Sequence, residues 1–218
     1  MKVALFDLDH TLLDGDSGIM WQNYLAEKGI VGEPTAHVAK AKQFSDDYHA
    51  GTLNYPSFLD FMLEPLVRFP LEDLHQWRAD FVENWVKPVI KKRAVDLLDQ
   101  HRSRGDVLVL ISATNRFLTQ PIADLLKIPN VISTDPEMID GKYTGRITGT
   151  PCYQAGKIAR FTDWASGRDH AITHTFFYSD SYNDVPLMET VSQPVAVDPD
   201  ARLRAFAVAQ GWPVLELQ

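Results

Sequence analysis

The apolar run Val3-Ala4-Leu5-Phe6 is followed at once by two carboxylates, Asp7 and Asp9, with Thr11 close behind. Three later stretches carry groups that such a pair could work with. Ser112 ends the run Val107 to Ile111, Lys157 stands near the start of a helical segment, and Asp180 and Asp184 lie in the loop after Thr173 to Tyr178. Among clustered carboxylates, one can attack as a nucleophile while a second delivers and then removes a proton. Four of them cannot all stay ionised side by side, because like charges about 4 Å apart repel by about 4 kcal/mol at an effective dielectric near 20. A divalent cation together with Lys157 would relieve that repulsion. Oxygen-only ligation favours a hard ion, and Mg²⁺ is the natural choice where a phosphate also binds. The chain offers no His/Cys set of the kind zinc uses. Taken alone, Asp-x-Asp-x-Thr is as compatible with a solvated loop or a helix cap, so the case rests on whether the fold gathers these residues.

The elements that must gather them can be read from the pattern of apolar residues. Val3 to Phe6 is short, apolar and partly β-branched, as expected of a central strand in a parallel sheet covered on both faces. In such sheets ligands bind outside the C-terminal strand ends, where Asp7 and Asp9 fall. From about Gly18 to Trp85 apolar residues recur at spacings of one, three and four, with breaks at Gly29 to Pro34, Gly51 to Pro56 and Pro70. No strand alternation interrupts them, so residues 17–86 are expected to form a helical insertion, with Trp21, Trp77 and Trp85 in its core and Asp16 or Ser17 capping its first helix.

Lys87 to Arg104 reads as a helix with Pro88 in its first turn, and further strands are expected at 107–111, 131–133, 173–178 and 194–197. Helices are expected at 116–127, 154–164, 185–189 and 202–210, and Asp140-Gly141 between extended segments signals a hairpin. This alternation predicts a three-layer α/β sandwich with a Rossmann-like parallel sheet and right-handed crossovers. The core would comprise residues 1–16 and 87–218, and the helical cap residues 17–86.

Composition narrows the class of function. The net charge of −8 and the lack of a Lys/Arg-rich tract leave no electrostatic footprint for nucleic acid or an anionic membrane. A hydrophobic content of 45% excludes general disorder, and no apolar run approaches the roughly 20 residues that span a bilayer. Asp7 breaks the first apolar run, so no signal peptide is expected and the cytoplasm is the expected location. The single cysteine, Cys152, rules out an internal disulfide and reads as a small buried thiol. An acidic protein that binds phosphate must do so with local positive groups, which again singles out a metal ion and Lys157.

The Asp-Leu-Asp-His-Thr start, the Ser of Val-Leu-Ile-Ser, the Lys157 helix and the Asp-Ser-Tyr-Asn-Asp loop resemble, in order, the four motifs of the haloacid dehalogenase superfamily of phosphohydrolases. The helical insertion after the first motif, with Gly51-Thr52-Leu53-Asn54-Tyr55, is similar to its phosphoserine phosphatase branch. The resemblance implies that Asp7 is a nucleophile that becomes an aspartyl phosphate, and that Asp9 protonates the leaving oxygen and then activates water. It further implies a Mg²⁺ site made by Asp7, the backbone carbonyl of Asp9, and Asp180, with Asp184 acting through water and on Lys157. Ser112, the Ala113 amide, Lys157 and Asn183 would hold the phosphoryl oxygens, as donors aimed at developing charge.

Two positions depart from that family's pattern. His10 stands where a small residue is usual, and it reads as a loop residue filling space. In the phosphoserine enzymes a cap arginine holds the substrate carboxylate and an acidic residue shortly after the first motif holds its amine. Asp16 falls at the acidic position, but counting from Gly51 puts Met62 at the arginine position. An amine without a carboxylate beside it, as in histidinol phosphate, suits such a site better than phosphoserine. The same intermediate could serve a phosphotransferase. A receiver-like regulatory domain fits poorly, because it is far shorter and lacks the insertion, and a phosphate-binding relative without activity would be expected to have lost one of the key groups.

Overall fold

The first strand, β1 (Lys2–Phe6), occupies the middle of the sheet in the computed structural model, which describes residues 1–218. Its side chains alternate between two hydrophobic clusters: Val3 and Leu5 enter one, Ala4 and Phe6 the other. The chain then leaves the sheet through α1 (Ser17–Glu27), α2 (Pro34–Ala50), α3 (Tyr55–Arg68) and α4 (Leu71–Phe81), and a π-helical turn, Val82–Val86, ends the excursion. The breaks between these helices fall where glycine and proline predicted them, and Gly51 closes α2 in the left-handed region at φ 75°.

The remaining chain alternates strand and helix. In order it forms α5 (Lys92–Ser103), β2 (Val107–Asn115), α6 (Arg116–Leu125), β3 (Asn130–Ile139), β4 (Lys142–Thr148), α7 (Ala155–Ser166), β5 (His174–Ser179), α8 (Val185–Met188), β6 (Gln193–Val197), α9 (Ala201–Gln210) and β7 (Val214–Leu215). The sheet order is β4-β3-β2-β1-β5-β6-β7, parallel throughout except for the antiparallel β4. β1 therefore lies at the switch point between the two halves, where ligands bind in open α/β sheets. Asp140 and Gly141 both adopt positive φ, at 49° and 76°, as the two-residue β3–β4 hairpin requires.

Several boundaries differ from those the sequence predicts. The helix expected from Lys87 begins only at Lys92, because Leu13 and Ile90 form an antiparallel bridge, with Asp14 N–H bonded to the Val89 carbonyl and Lys91 N–H to that of Leu12. This pairing closes the neck of the insertion. The helix expected to run to Lys127 ends at Leu125, with Lys127 at φ 55°. β3 is far longer than 131–133, since its second half finds a partner in β4, and the short β7 follows no predicted signal. β2 runs past Ile111 to Asn115, with an irregularity that pairs Ser112 with Ser133 and Asn115 with Thr134. Ala113 and Thr114 are thus left out of the ladder, as in a β-bulge.

Packing also revises the expectation that the tryptophans form a core private to the insertion. Trp21, Tyr24, Leu66, Leu74 and Phe81 belong to the same 29-residue cluster as Phe6, Leu110 and Leu118, with Trp77 and Trp85 packed against it. Only Ala41, Phe44, Phe61 and Met62, from α2 and α3, form a small cluster of their own. Each fully buried large apolar side chain contributes about 1.5–3 kcal/mol, so the shared cluster joins most of the insertion firmly to the sheet. Cys152 is buried, as expected. No helix is long and apolar enough to cross a membrane.

Candidate active site

β1, β2 and β5 run parallel side by side, so the residues leaving their C-terminal ends converge. Asp7 extends the β1–β5 ladder by one bond, donating its N–H to the Tyr178 carbonyl at 2.9 Å, which fixes the direction of its buried side chain. Its Oδ1 accepts from Lys157 Nζ at 2.8 Å. Lys157, fully buried in the first turn of α7, also donates to Asp184 Oδ2 at 2.7 Å. Burial pushes the Asp7 carboxyl up to about 7; Lys157 opposes the rise, while the charges of Asp184 and Asp9 add to it. Burial works against the charge of Lys157, yet Asp184 and Asp7 together hold it well above the ordinary lysine range, so it remains an ammonium.

Asp180 leaves β5 beside Asp7. Thr11 binds it twice, its hydroxyl donating to Asp180 Oδ1 and accepting from the Asp180 N–H, both at 3.0 Å. Burial, followed by the nearby Asp7 charge, raises the Asp180 carboxyl well above the usual range. Asp9 is held differently. Its Oδ1 accepts from the N–H and the hydroxyl of Ser17, each at 2.6 Å, and its Oδ2 accepts from Thr114 Oγ1 at 2.8 Å. The irregularity in β2 is what frees Thr114 to reach it.

These groups line a cavity of about 590 Å³, mouth included, between the strand ends and the insertion. Asp7, Asp9, Asp180, Ser112, Ala113 and Thr114 form one side, while Ser45, Tyr48 and His49 of α2 and Tyr55 and Phe58 of α3 form the other. No Lys or Arg is among the lining residues. Asp16 lies in the wall as the N-cap of α1, accepting from the Ile19 N–H at 2.9 Å, and burial, then the Asp9 charge, raises its carboxyl to about 7. Met62 is buried in the small α2–α3 cluster, with its methyl close to Gly18, so the place expected to lack a cation is apolar.

The fold thus brings together Asp7, Asp9, Asp16, Ser112, Ala113 and Asp180 at the cavity, with Lys157 and Asp184 directly behind Asp7. Asn183 is placed otherwise: it does not line the cavity, and its amide accepts from Gln154 Nε2 at 3.2 Å and donates to the Tyr48 carbonyl at 3.1 Å. His10, at φ 56°, meets the His49 ring edge-on at 5.7 Å, and burial lowers its basicity. Sequence reasoning passed over Ser17 and Thr114 as partners of Asp9, and over Tyr48 and His49 as cavity residues. No periodic signal marks them, because each acts through a contact made outside its own helix or strand.

The donor chemistry fits a hard cation. Asp184 Oδ1 is buried without a hydrogen-bond partner, and Lys157 pairs with Asp7 and Asp184 while the buried Asp180 carboxyl is met by the Thr11 hydroxyl and no cation. No three His, Cys, Asp or Glu side chains are grouped to hold a metal by themselves. A set of two carboxylates, from Asp7 and Asp180, and the Asp9 carbonyl does not need three, since Mg²⁺ keeps several waters.

Comparison with known proteins places the fold and the sequence in a family. A family model described as haloacid dehalogenase-like hydrolase matches residues 4–189. A histidinol-phosphatase of Neisseria meningitidis serogroup C is 40% identical over 100% of this chain and 99% of its own length. A Bordetella pertussis Tohama I protein described as of unknown function superposes with a TM-score of 0.94 at 40% identity, covering 100% of this chain and 99% of that one. A substrate-bound phosphoserine phosphatase shares the fold, with a TM-score of 0.71 at 18% identity over 98% of this chain and 92% of that chain.

Proposed function

Because the chain belongs to the haloacid dehalogenase-like hydrolase family and is a phosphatase, we propose that it hydrolyses a small amino-alcohol phosphate such as histidinol phosphate through an aspartyl phosphate formed on Asp7. The observation that carries the mechanism is the Asp7–Lys157 contact of 2.8 Å at the cavity floor. An anionic nucleophile can approach an anionic phosphoryl group only where positive charge is already in place, and the buried ammonium supplies it. An oxygen of Asp7 attacks phosphorus while the leaving alkoxide takes a proton from Asp9. Asp9 then removes a proton from the water that cleaves the acyl phosphate. The Ser112 hydroxyl and the Ala113 N–H serve as donors to the phosphoryl oxygens.

Asp7, the Asp9 carbonyl and Asp180 would hold Mg²⁺, with Asp184 acting through water and on Lys157. When bound, the ion would supply further positive charge against the phosphoryl oxygens. The helices of residues 17–86 act as a cap domain over the core of residues 1–16 and 87–218, enclosing the leaving group.

Two features support an amine-bearing leaving group without a carboxylate. Asp16 places a carboxyl in the cavity wall, and the wall contains no Lys or Arg to meet a substrate carboxylate. The 40% identity to a histidinol-phosphatase points the same way. The test is kcat/KM for histidinol phosphate, phosphoserine and a sugar phosphate, with Mg²⁺ and after exhaustive EDTA treatment. The expected order puts histidinol phosphate first, with activity lost on metal removal. A preference for phosphoserine overturns the substrate assignment, and full activity in EDTA overturns the metal assignment.

A further inference from the structure

Tyr48 stands apart among the cavity residues. It comes from the last turn of α2, and Asn183, in the loop that carries Asp180 and Asp184, donates to its backbone carbonyl at 3.1 Å. The phenol lies in the cavity wall with Asp7, Asp180 and Ser112. The side chain is half-buried, and the charges of Asp184, Lys157, Asp7 and Asp180 all act on the phenol. No protein group exchanges a hydrogen bond with that hydroxyl, whereas the other donors around the carboxylates, from Thr11, Ser17, Thr114 and Ser179, are all engaged. A donor that lines the cavity beside a charged centre and is used by no protein group is free to meet a ligand atom there.

We infer that the Tyr48 hydroxyl donates a hydrogen bond to the phosphoryl group held at Asp7, which makes Tyr48 a catalytic residue supplied by the insertion. This rests on the reading of Asp7 as the phosphoryl acceptor. Burial and the neighbouring Asp184 charge hold the phenol well above the ordinary tyrosine range, so it keeps its proton and acts as a donor throughout. The contact goes to the phosphoryl group and not to the leaving group, so its effect is common to all substrates. It is also made to the product, inorganic phosphate.

The experiment is Tyr48→Phe, which removes only the hydroxyl, assayed with p-nitrophenyl phosphate and histidinol phosphate, alongside competitive inhibition by inorganic phosphate and a thermal melt. Expected are an unchanged Tm, equal losses of roughly ten- to hundredfold in kcat/KM on both substrates, and weaker inhibition by phosphate. Wild-type kcat/KM and phosphate inhibition would overturn the assignment. A loss confined to histidinol phosphate would overturn it too, since the hydroxyl would then be reading the leaving group. Asp7→Asn, run in parallel, separates the two readings. If that variant turns over normally the aspartyl phosphate falls, while the phosphate inhibition of Tyr48→Phe still judges the hydroxyl on its own.

Discussion

Ser17 donates both its backbone N–H and its hydroxyl to the same oxygen of Asp9, each at 2.6 Å. Ser17 is the first residue of α1 and Asp9 lies two residues past the nucleophile candidate, so the start of the insertion directly orients the proposed acid and base. Ser17→Ala keeps the N–H bond and loses the hydroxyl bond. Removing one charge-assisted bond of about 1.5–3 kcal/mol should slow the hydrolysis of alkyl phosphates by roughly ten- to hundredfold. p-Nitrophenyl phosphate, whose leaving group needs no proton, should suffer much less in the step that forms the phosphoenzyme. Burst kinetics with both substrates read the difference, and equal effects on both bursts would show that Ser17 does not act through proton transfer.

Asp7→Asn should leave the fold intact and reduce turnover of every phosphomonoester by at least about three orders of magnitude, because an amide oxygen is a poor nucleophile. Asp9→Asn should differ in kind. It should still form some phosphoenzyme from p-nitrophenyl phosphate, then stall at its hydrolysis. Mass spectrometry of rapidly quenched protein checks both, and near wild-type turnover by the Asp7 variant would sink the mechanism.

Asp16 should show in the pH dependence of specificity. With its carboxyl raised to about 7, it is neutral in the free enzyme at lower pH and gains its charge as pH rises through that value. The ratio of kcat/KM for histidinol phosphate to that for p-nitrophenyl phosphate should therefore climb between about pH 6 and 8, a window set by that raised value. The two phosphates ionise at different pH values and the imidazole of histidinol phosphate titrates in the same window, so the Asp16→Asn profile supplies the baseline against which the wild-type climb is read. Asp16→Asn, a good replacement at a helix N-cap, should flatten the profile and lower the ratio roughly ten- to hundredfold at high pH. A ratio that is independent of pH in the wild type would leave Asp16 with only its capping role.

Lys157→Ala should cost about 3–5 kcal/mol, since it strands Asp7 and Asp184 as buried like charges. The pH dependence follows from the raised Asp7 carboxyl. Between the ordinary carboxylate range and about pH 7 the native state holds a proton that the unfolded state has released, so stability falls as pH rises through that window. Losing Lys157 removes the one influence that draws the Asp7 value back down, so the fall should steepen and extend to higher pH. Urea unfolding at pH 5.5 and 8 without divalent ions measures this, and an equal loss at both values would contradict it.

Much of this architecture is local in origin and was legible in the chain. Val3 to Phe6 and Val107 to Ile111 are apolar on both faces because both faces are covered, and the pattern reports that directly. Glycine and proline at 29–34, 51–56 and 70 break the helices wherever the chain is read. Asp7, Ser112 and Asp180 could be grouped because each follows a strand, and parallel strands bring those ends to one edge. Tertiary structure alone decided the rest. After a short 3-10 turn at Lys87–Val89, Ile90 and Lys91 are extended because the segment pairs with Leu12, Leu13 and Asp14, not because of their own propensity. Thr114 reaches Asp9 only because β2 slips its register against β3. Tyr48 faces the carboxylates because Asn183 anchors the end of α2 to their loop. Periodicity records whether one element meets core or solvent; register, irregularities and single hydrogen bonds are set by a partner far away in the chain, and they exist only once the two segments have met.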